Sequence, residues 1–265
     1  MHTRHLLFTR RTTAFALAAA AVFLVQGRHA SAQTLVENSA EVRFQLDLHV
    51  PDAALTPLLP PGFTLNVAAQ GPAKDCNLRA IFVDRLTVNG SDGKPVGKGS
   101  SRFVYLAAPV KDAAGANAQV VIGGLTSEAA DAPGPFANYL LATTATAKRT
   151  IAADGPTTTE TQDWVFQAAS GEHLELHITF ERGVSNRGAA SETKFYSAKD
   201  VSKVQLSKQE QVLEILRNAT TNPPDKVKAF SFKGSGGSYA KLFDGTDKPV
   251  SWDNIPWMVR SVSVP

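Results

Sequence analysis

Three arginines lie on apolar segments. Arg79 and Arg85 bracket "RAIFVDR", and Arg102 opens "RFVYL". A strand arginine ordinarily snorkels outward, keeping its head in water. One that points into an enclosed space is instead a planar fork suited to a carboxylate. A second chemical spacing is "HLELH", where His173 and His177 flank Glu175. On a helix that i,i+4 pair could share a zinc ion. Here Leu174, Leu176, Ile178 and Phe180 alternate with polar residues, so the segment reads as a strand. Four residues of strand span roughly 13 Å, whereas zinc needs each nitrogen at about 2 Å. No metal site is expected. Cys76 is the single cysteine, which rules out an intramolecular disulfide and fits a small buried hydrophobe. "VIGGLTSE" is not followed by a helix pattern, "GSGGS" lacks the Lys-Ser/Thr of a phosphate loop, and no G-x-S-x-G elbow occurs. No cofactor is implied.

The elements that must position the arginines are mostly strands. Val42, Phe44, Leu46, Leu48 and Val50 alternate with Arg43, Gln45, Asp47 and His49, the period of a strand with one buried face. Phe63 to Val67 alternates again. Leu78 to Val88 is apolar on both parities. "NGSDG" reads as a turn, and strands are expected over Phe103–Val110 and Gln119–Leu125. Thr126 to Asn138, "TSEAADAPGPFAN", reads as a long loop. "YLLATTATAKRTI" reads as a strand, and Ser170-Gly171 joins a hairpin. One helix is expected: Ser207 and Glu210 form S-x-x-E, Val212, Leu213 and Leu216 supply the apolar face, and Asn222-Pro223-Pro224 stops the chain. A C-terminal strand lies near "WMVRSVSV".

The first 32 residues stand apart. Arg4, Arg10 and Arg11 precede an apolar run, Ala14 to Val25, and Ala30-Ser31-Ala32 is a small-x-small cleavage pattern. That order predicts a signal peptide, with Gln33 as the mature N-terminus. Both Sec and twin-arginine export stay open. The leader holds four arginines and no acid. The whole chain has 27 basic and 24 acidic residues, so the mature chain has 23 against 24, a net charge of −1. This charge gives no support to nucleic-acid binding. No later apolar run is long enough to span a membrane. The expectation is a periplasmic or secreted protein with one domain, residues 33–265.

The stretch "VRFQLDLHVPDAALTPLLPPGFTL" is a strand, a short helical turn capped near Asp52, a Pro-Pro-Gly stop and a return strand. It resembles the acetoacetate decarboxylase-like superfamily. "RFVYLAAPV" with "VVIGGLTSE", and "GEHLELHITFERG", are similar to later stretches of that family, giving cover from about Val42 to Tyr196. The resemblance implies a mainly β, α+β fold: a single antiparallel β-cone or barrel with few short helices and a site inside it. Leu55, Leu58 and Leu59 would plug one end.

The family's decarboxylases carry a Lys-Lys pair after a G-x-E stretch, and one lysine forms a Schiff base with the keto acid; general physical chemistry uses this enzyme as a standing example of a lysine activated by a second cation. Here the matching loop, Ser127 to Tyr139, has no lysine. Lys148, beside Arg149, is the first beyond it, and Glu128 lies near the family's glutamate. Adjacent strand residues face opposite ways, so only one of Lys148 and Arg149 can look inward. The resemblance therefore implies an exported protein binding a small carboxylated or apolar ligand, with Arg79, Arg85, Arg102 and Tyr105 as ligand-binding candidates. The alternatives are a decarboxylase-like enzyme using Lys148 and Glu128 on a β-keto acid, and an extracytoplasmic structural or interaction module.

Overall fold

A computed structural model describes residues 33–220 and 225–265. The leader and the Asn222-Pro223-Pro224 stop lie outside the described residues. The strands in chain order are β1 (Thr34–His49), β2 (Thr64–Leu65), β3 (Leu78–Gly90), β4 (Ser101–Lys111), β5 (Asn117–Thr126), β6 (Tyr139–Asp154) and β7 (Thr157–Ala168). They continue with β8 (His173–Glu181), β9 (Asn186–Arg187), β10 (Ser191–Ser197), β11 (Val204–Asn218), β12 (Val227–Ser235) and β13 (Lys248–Val264). The path β5-β10-β11-β13-β1-β3-β4 closes through a β4–β5 ladder into a barrel of seven strands. Strands β6, β7, β8 and β12 form an outer layer, which leaves the barrel where β6 pairs with β5. Most ladders are antiparallel; β5–β10 and β5–β6 are short parallel ones.

The main apolar core lies between barrel wall and outer layer, not inside the barrel. Phe44, Leu46 and Leu48 of β1, with Phe82 and Leu106, pack against Trp164, Phe166, Leu174, Leu176 and Phe180. The rings of Phe82 and Trp164 are 5.8 Å apart. Burying each such side chain contributes roughly 1.5–3 kcal/mol.

The opposite parity of β1 departs from the expected solvent face. Glu41, Arg43 and Asp47 are almost fully buried because they point into the barrel lumen. A closed barrel has an inside as well as an outside, so polar residues need not meet bulk water. The same geometry overturns the expected helix over Ser207–Leu216. That segment is β11, paired with β10 and β13. Gln209, Gln211, Leu213 and Ile215 line the lumen while Leu216 faces the core. With polar residues tolerated on the inner face, the apolar alternation that marks a strand is lost.

The Pro-Pro-Gly stretch does form a short plug. A single α turn, Asp52–Leu55, passes into a 3-10 turn, Thr56–Leu58. Leu55 is fully buried; Leu58 and Leu59 pack partly buried against the same core. Asp52 is not the cap. Its carboxylate accepts a hydrogen bond from Asn77 at 2.8 Å. The buried Asn77 amide also accepts from Val50 N–H and donates to Val50 C=O, a side-chain substitute for a strand partner.

Candidate functional site

Two cavities occupy the lumen, separated by a layer containing Tyr105 and Phe195, which line both. The first, about 270 Å³, lies beneath the 130–139 loop. Its walls are aromatic: Phe103, Tyr105, Phe136, Tyr139 and Phe195, with Pro133 and Pro135. The Tyr139 ring is seated by glycines. A Cβ on Gly124 or on Gly134 would come within 2.6 Å of it. Gly134 also has φ +75°, which disfavours other residues there. On the other face of β5, a Cβ on Gly123 would meet the Tyr239 hydroxyl at 2.9 Å. The "GG" pair thus makes room for two tyrosines.

A chain of alternating charge starts on the polar side of this cavity and runs on to Arg43, which lines the second one. Asp131, on the loop, accepts two hydrogen bonds from Arg85 Nη2, both at 2.8 Å. Arg85 Nη1 donates to Glu37 at 2.9 Å and its Nε to Ser101 at 2.7 Å. Arg260 bridges Glu37 (2.8 Å) and Glu41 (3.0 Å). Arg43 then donates to Glu41 at 2.6 Å and to the Tyr105 hydroxyl at 3.4 Å. Three guanidiniums meet three carboxylates, so their charges balance. Burial pushes the Glu41 pKa up, but Arg260, Arg43 and the Ser39 hydroxyl outweigh it and hold it at about 2. Burial, reinforced by Tyr105, raises the Tyr139 phenol well above its ordinary value. It is therefore a neutral hydrogen-bond donor at neutral pH.

The second cavity, about 300 Å³, has a polar wall facing an apolar one that includes Ile81, Ile215 and Met258. Gln45, Asp47, Arg79, Gln119, Gln209, Gln211 and Asp253 line it. Burial, and then the nearby Asp47, push Asp253 up to about 7. Burial also raises Asp47, although Arg79 Nε lies 3.5 Å away. Cys76 is buried; burial and Asp47 push its thiol up to about 12, so it stays protonated and inert.

The structure separates the candidate residues. Arg85 and Tyr105 line the aromatic cavity, and Arg79 lines the second one. Arg102 faces outward, half exposed, with Asp84 at 3.1 Å. Glu128 precedes a 3-10 turn and pairs with Lys98 at 3.0 Å. It lines neither lumen cavity. Lys148 is exposed on β6 in the outer layer. Neither lumen cavity is lined by a lysine among the described residues. His173 and His177 lie along β8, as their alternation implies; His177 pairs with Asp163 at 2.5 Å. Sequence reasoning missed Glu37, Glu41, Arg43, Asp131, Tyr139 and Arg260. The available signal was the polar row of β1, Glu41-x-Arg43-x-Gln45-x-Asp47, which has more charge than a strand face needs for solvation.

No family model matches the chain, and no curated protein does. Solved structures do. One is similar over 89% of this chain and 91% of its own, with 11% identity and a TM-score of 0.50: the enduracididine biosynthesis enzyme MppR complexed with pyruvate. The same enzyme with the condensation product of pyruvate and imidazole 4-carboxaldehyde has 10% identity, a TM-score of 0.51, and coverage of 89% and 90%. An acetoacetate decarboxylase-like enzyme from Sphingomonas wittichii RW1 has 11% identity, a TM-score of 0.49, and coverage of 88% and 93%. These likenesses show the fold alone: the barrel is similar to that of MppR.

Proposed function

We propose that this is an exported protein that binds a small ligand in the aromatic cavity, without Schiff-base chemistry. The observation that carries the reading is the composition of that cavity: five aromatic rings, two arginines, Arg85 and Arg260, already paired with carboxylates, and no lysine among its described lining residues. A Schiff base requires an amine beside the bound carbonyl, and no lysine is among the described residues that line the two lumen cavities. The ligand has an apolar, ring-sized body, packed by Phe103, Phe136 and Phe195. Its acceptor group meets the Tyr139 and Tyr105 hydroxyls. A carboxylate is accommodated by exchange with Asp131 on Arg85, whose Nη2 already donates to both oxygens of that carboxylate. The leader pattern of residues 1–32 supports export, which N-terminal sequencing of protein recovered outside the cytoplasm tests.

Calorimetric titration with phenol, benzoate and acetoacetate, each followed by borohydride and mass measurement, tests the binding. Saturable binding of a ring compound, weakened in Tyr139→Phe, with no covalent mass gain, is expected. A borohydride-trapped adduct with acetoacetate would overturn the reading.

A further inference from the structure

The outer layer has an unusual free edge. Strand β6 runs for 16 residues, yet only Tyr139, Leu140 and Leu141 pair with β5. From Ala142 to Asp154, one edge pairs with β7 and, among the described residues, the other pairs with nothing. A long exposed edge is a template for another strand. Natural edges are usually shortened, bulged or studded with charge. This one has a bulge between Ala142 and Thr144 and the charges of Lys148, Arg149 and Asp154, but it is long, rich in Thr and Ala, and includes Ile151, 49% exposed. Lys148 and Asp154, one near each end of its outer half, make no ion pair among the described residues.

We propose that β6 pairs with β6 of a second copy of this chain, antiparallel across a two-fold axis centred on Ile151. The register follows from charge. Centring on Ile151 sets Lys148 of each copy opposite Asp154 of the other, on the same face of the joined sheet, since the two positions share parity. The two Ile151 side chains then lie against each other. Centring on residue 148 or 149 would instead oppose Lys148 to Lys148 or Arg149 to Arg149, which is unfavourable. Pro156 has no N–H to donate and bounds the ladder beyond Gly155. A two-fold axis makes the contact self-complementary, so one patch serves both partners. It would join two four-stranded outer layers into one eight-stranded sheet and leave both lumen cavities free. The other reading of Lys148 is as an edge charge that blocks pairing.

Sedimentation equilibrium of the purified protein distinguishes these. A reversible dimer is expected, with its dissociation constant raised about tenfold by Lys148→Glu or by Asp154→Lys, and restored when both changes are combined. Ile151→Cys supplies a second readout, because a residue on the two-fold axis faces its own copy. Mild oxidation should give a covalent dimer with Ile151→Cys and none with Thr146→Cys. In this register, Thr146 and its own copy are ten residues apart along the strands, roughly 33 Å. A monomer at all concentrations, a dimer indifferent to the charge reversals, or cross-linking through Thr146→Cys would overturn the proposal.

Discussion

Asp47 of β1 and Asp253 of β13 both accept a hydrogen bond from the one Gln45 amide, at 2.9 and 3.5 Å. Two carboxyl groups held so close in a buried lumen cannot both ionise cheaply. Arg79 faces them from β3, while Ser251 donates to Asp253 at 2.7 Å. The pair therefore keeps a proton that the unfolded chain would release.

That retention sets the pH dependence of stability. The Asp253 pKa is raised from 3.8 to about 7. The folded state binds the proton more tightly, so its contribution is fully present below about pH 4 and is lost as pH rises towards 7. Glu41 acts in the opposite direction: lowered from 4.5 to about 2, it stabilises above pH 4.5 and that contribution fades as pH falls through 2. Urea unfolding across pH should therefore show a maximum at mildly acidic pH. Asp253→Asn should flatten the decline between pH 4 and 7. The same decline in that variant would show that the aspartate pair is not its source.

Glu41 is the hub of the charge chain, fully buried between Arg43 and Arg260. Removing its charge leaves both guanidiniums without their shared partner. Glu41→Gln is expected to cost about 3–5 kcal/mol, the usual penalty for breaking a buried pair from one side. Denaturant titration at neutral pH measures it. A loss below about 1 kcal/mol would mean that the lumen is well hydrated.

The helical plug separates two neighbouring leucines. Leu55 is fully buried, whereas Leu58 is only partly so. Leu55→Ala should lose about 2–5 kcal/mol, and Leu58→Ala clearly less. Thermal melts of the two variants give the ordering. Equal effects would place Leu58 deeper than the structure has it.

Gly124 seats the ring that forms one wall of the aromatic cavity. Gly124→Ala introduces a Cβ within 2.6 Å of Tyr139 and 2.9 Å of the Val104 carbonyl. The ring must move into the cavity, because the backbone on the other side cannot. The variant should lose roughly 1–3 kcal/mol of stability and should also lose ring-compound binding. Retained binding at wild-type strength would detach Tyr139 from the ligand site.

Much of the fold was legible because most strands place apolar residues on one parity and end at Gly, Asn or Pro. Val42 to Val50 and His173 to Phe180 read correctly for this reason. One barrel strand, β11, did not. In β11, glutamines point inward and Leu216 outward, so its sequence matched a helix cap better than a strand. The site was hidden by the same inversion. Arg43 and Glu41 read as a solvated face, although they are buried beneath an aromatic roof. Arg85 and Tyr105 were found because they lie in conspicuously apolar strands. Arg260 lies on the last strand, and Asp131 in a loop with no periodicity to say that it folds over the barrel.

The ladder between β1 and β13 has a consequence for when the protein can fold. Phe44 lies opposite Asn254, and Thr34 opposite Val264, so the first and last described strands are neighbouring staves. The other neighbours of β13 come from β11, itself late in the chain. Local hairpins such as β7–β8 can form as soon as they are synthesised. The barrel cannot close until its final stave arrives, and contacts this distant in sequence form slowly. A nascent chain therefore has its charged lumen strands open until β13 has been synthesised, and a chain truncated before Lys248 should never acquire either cavity.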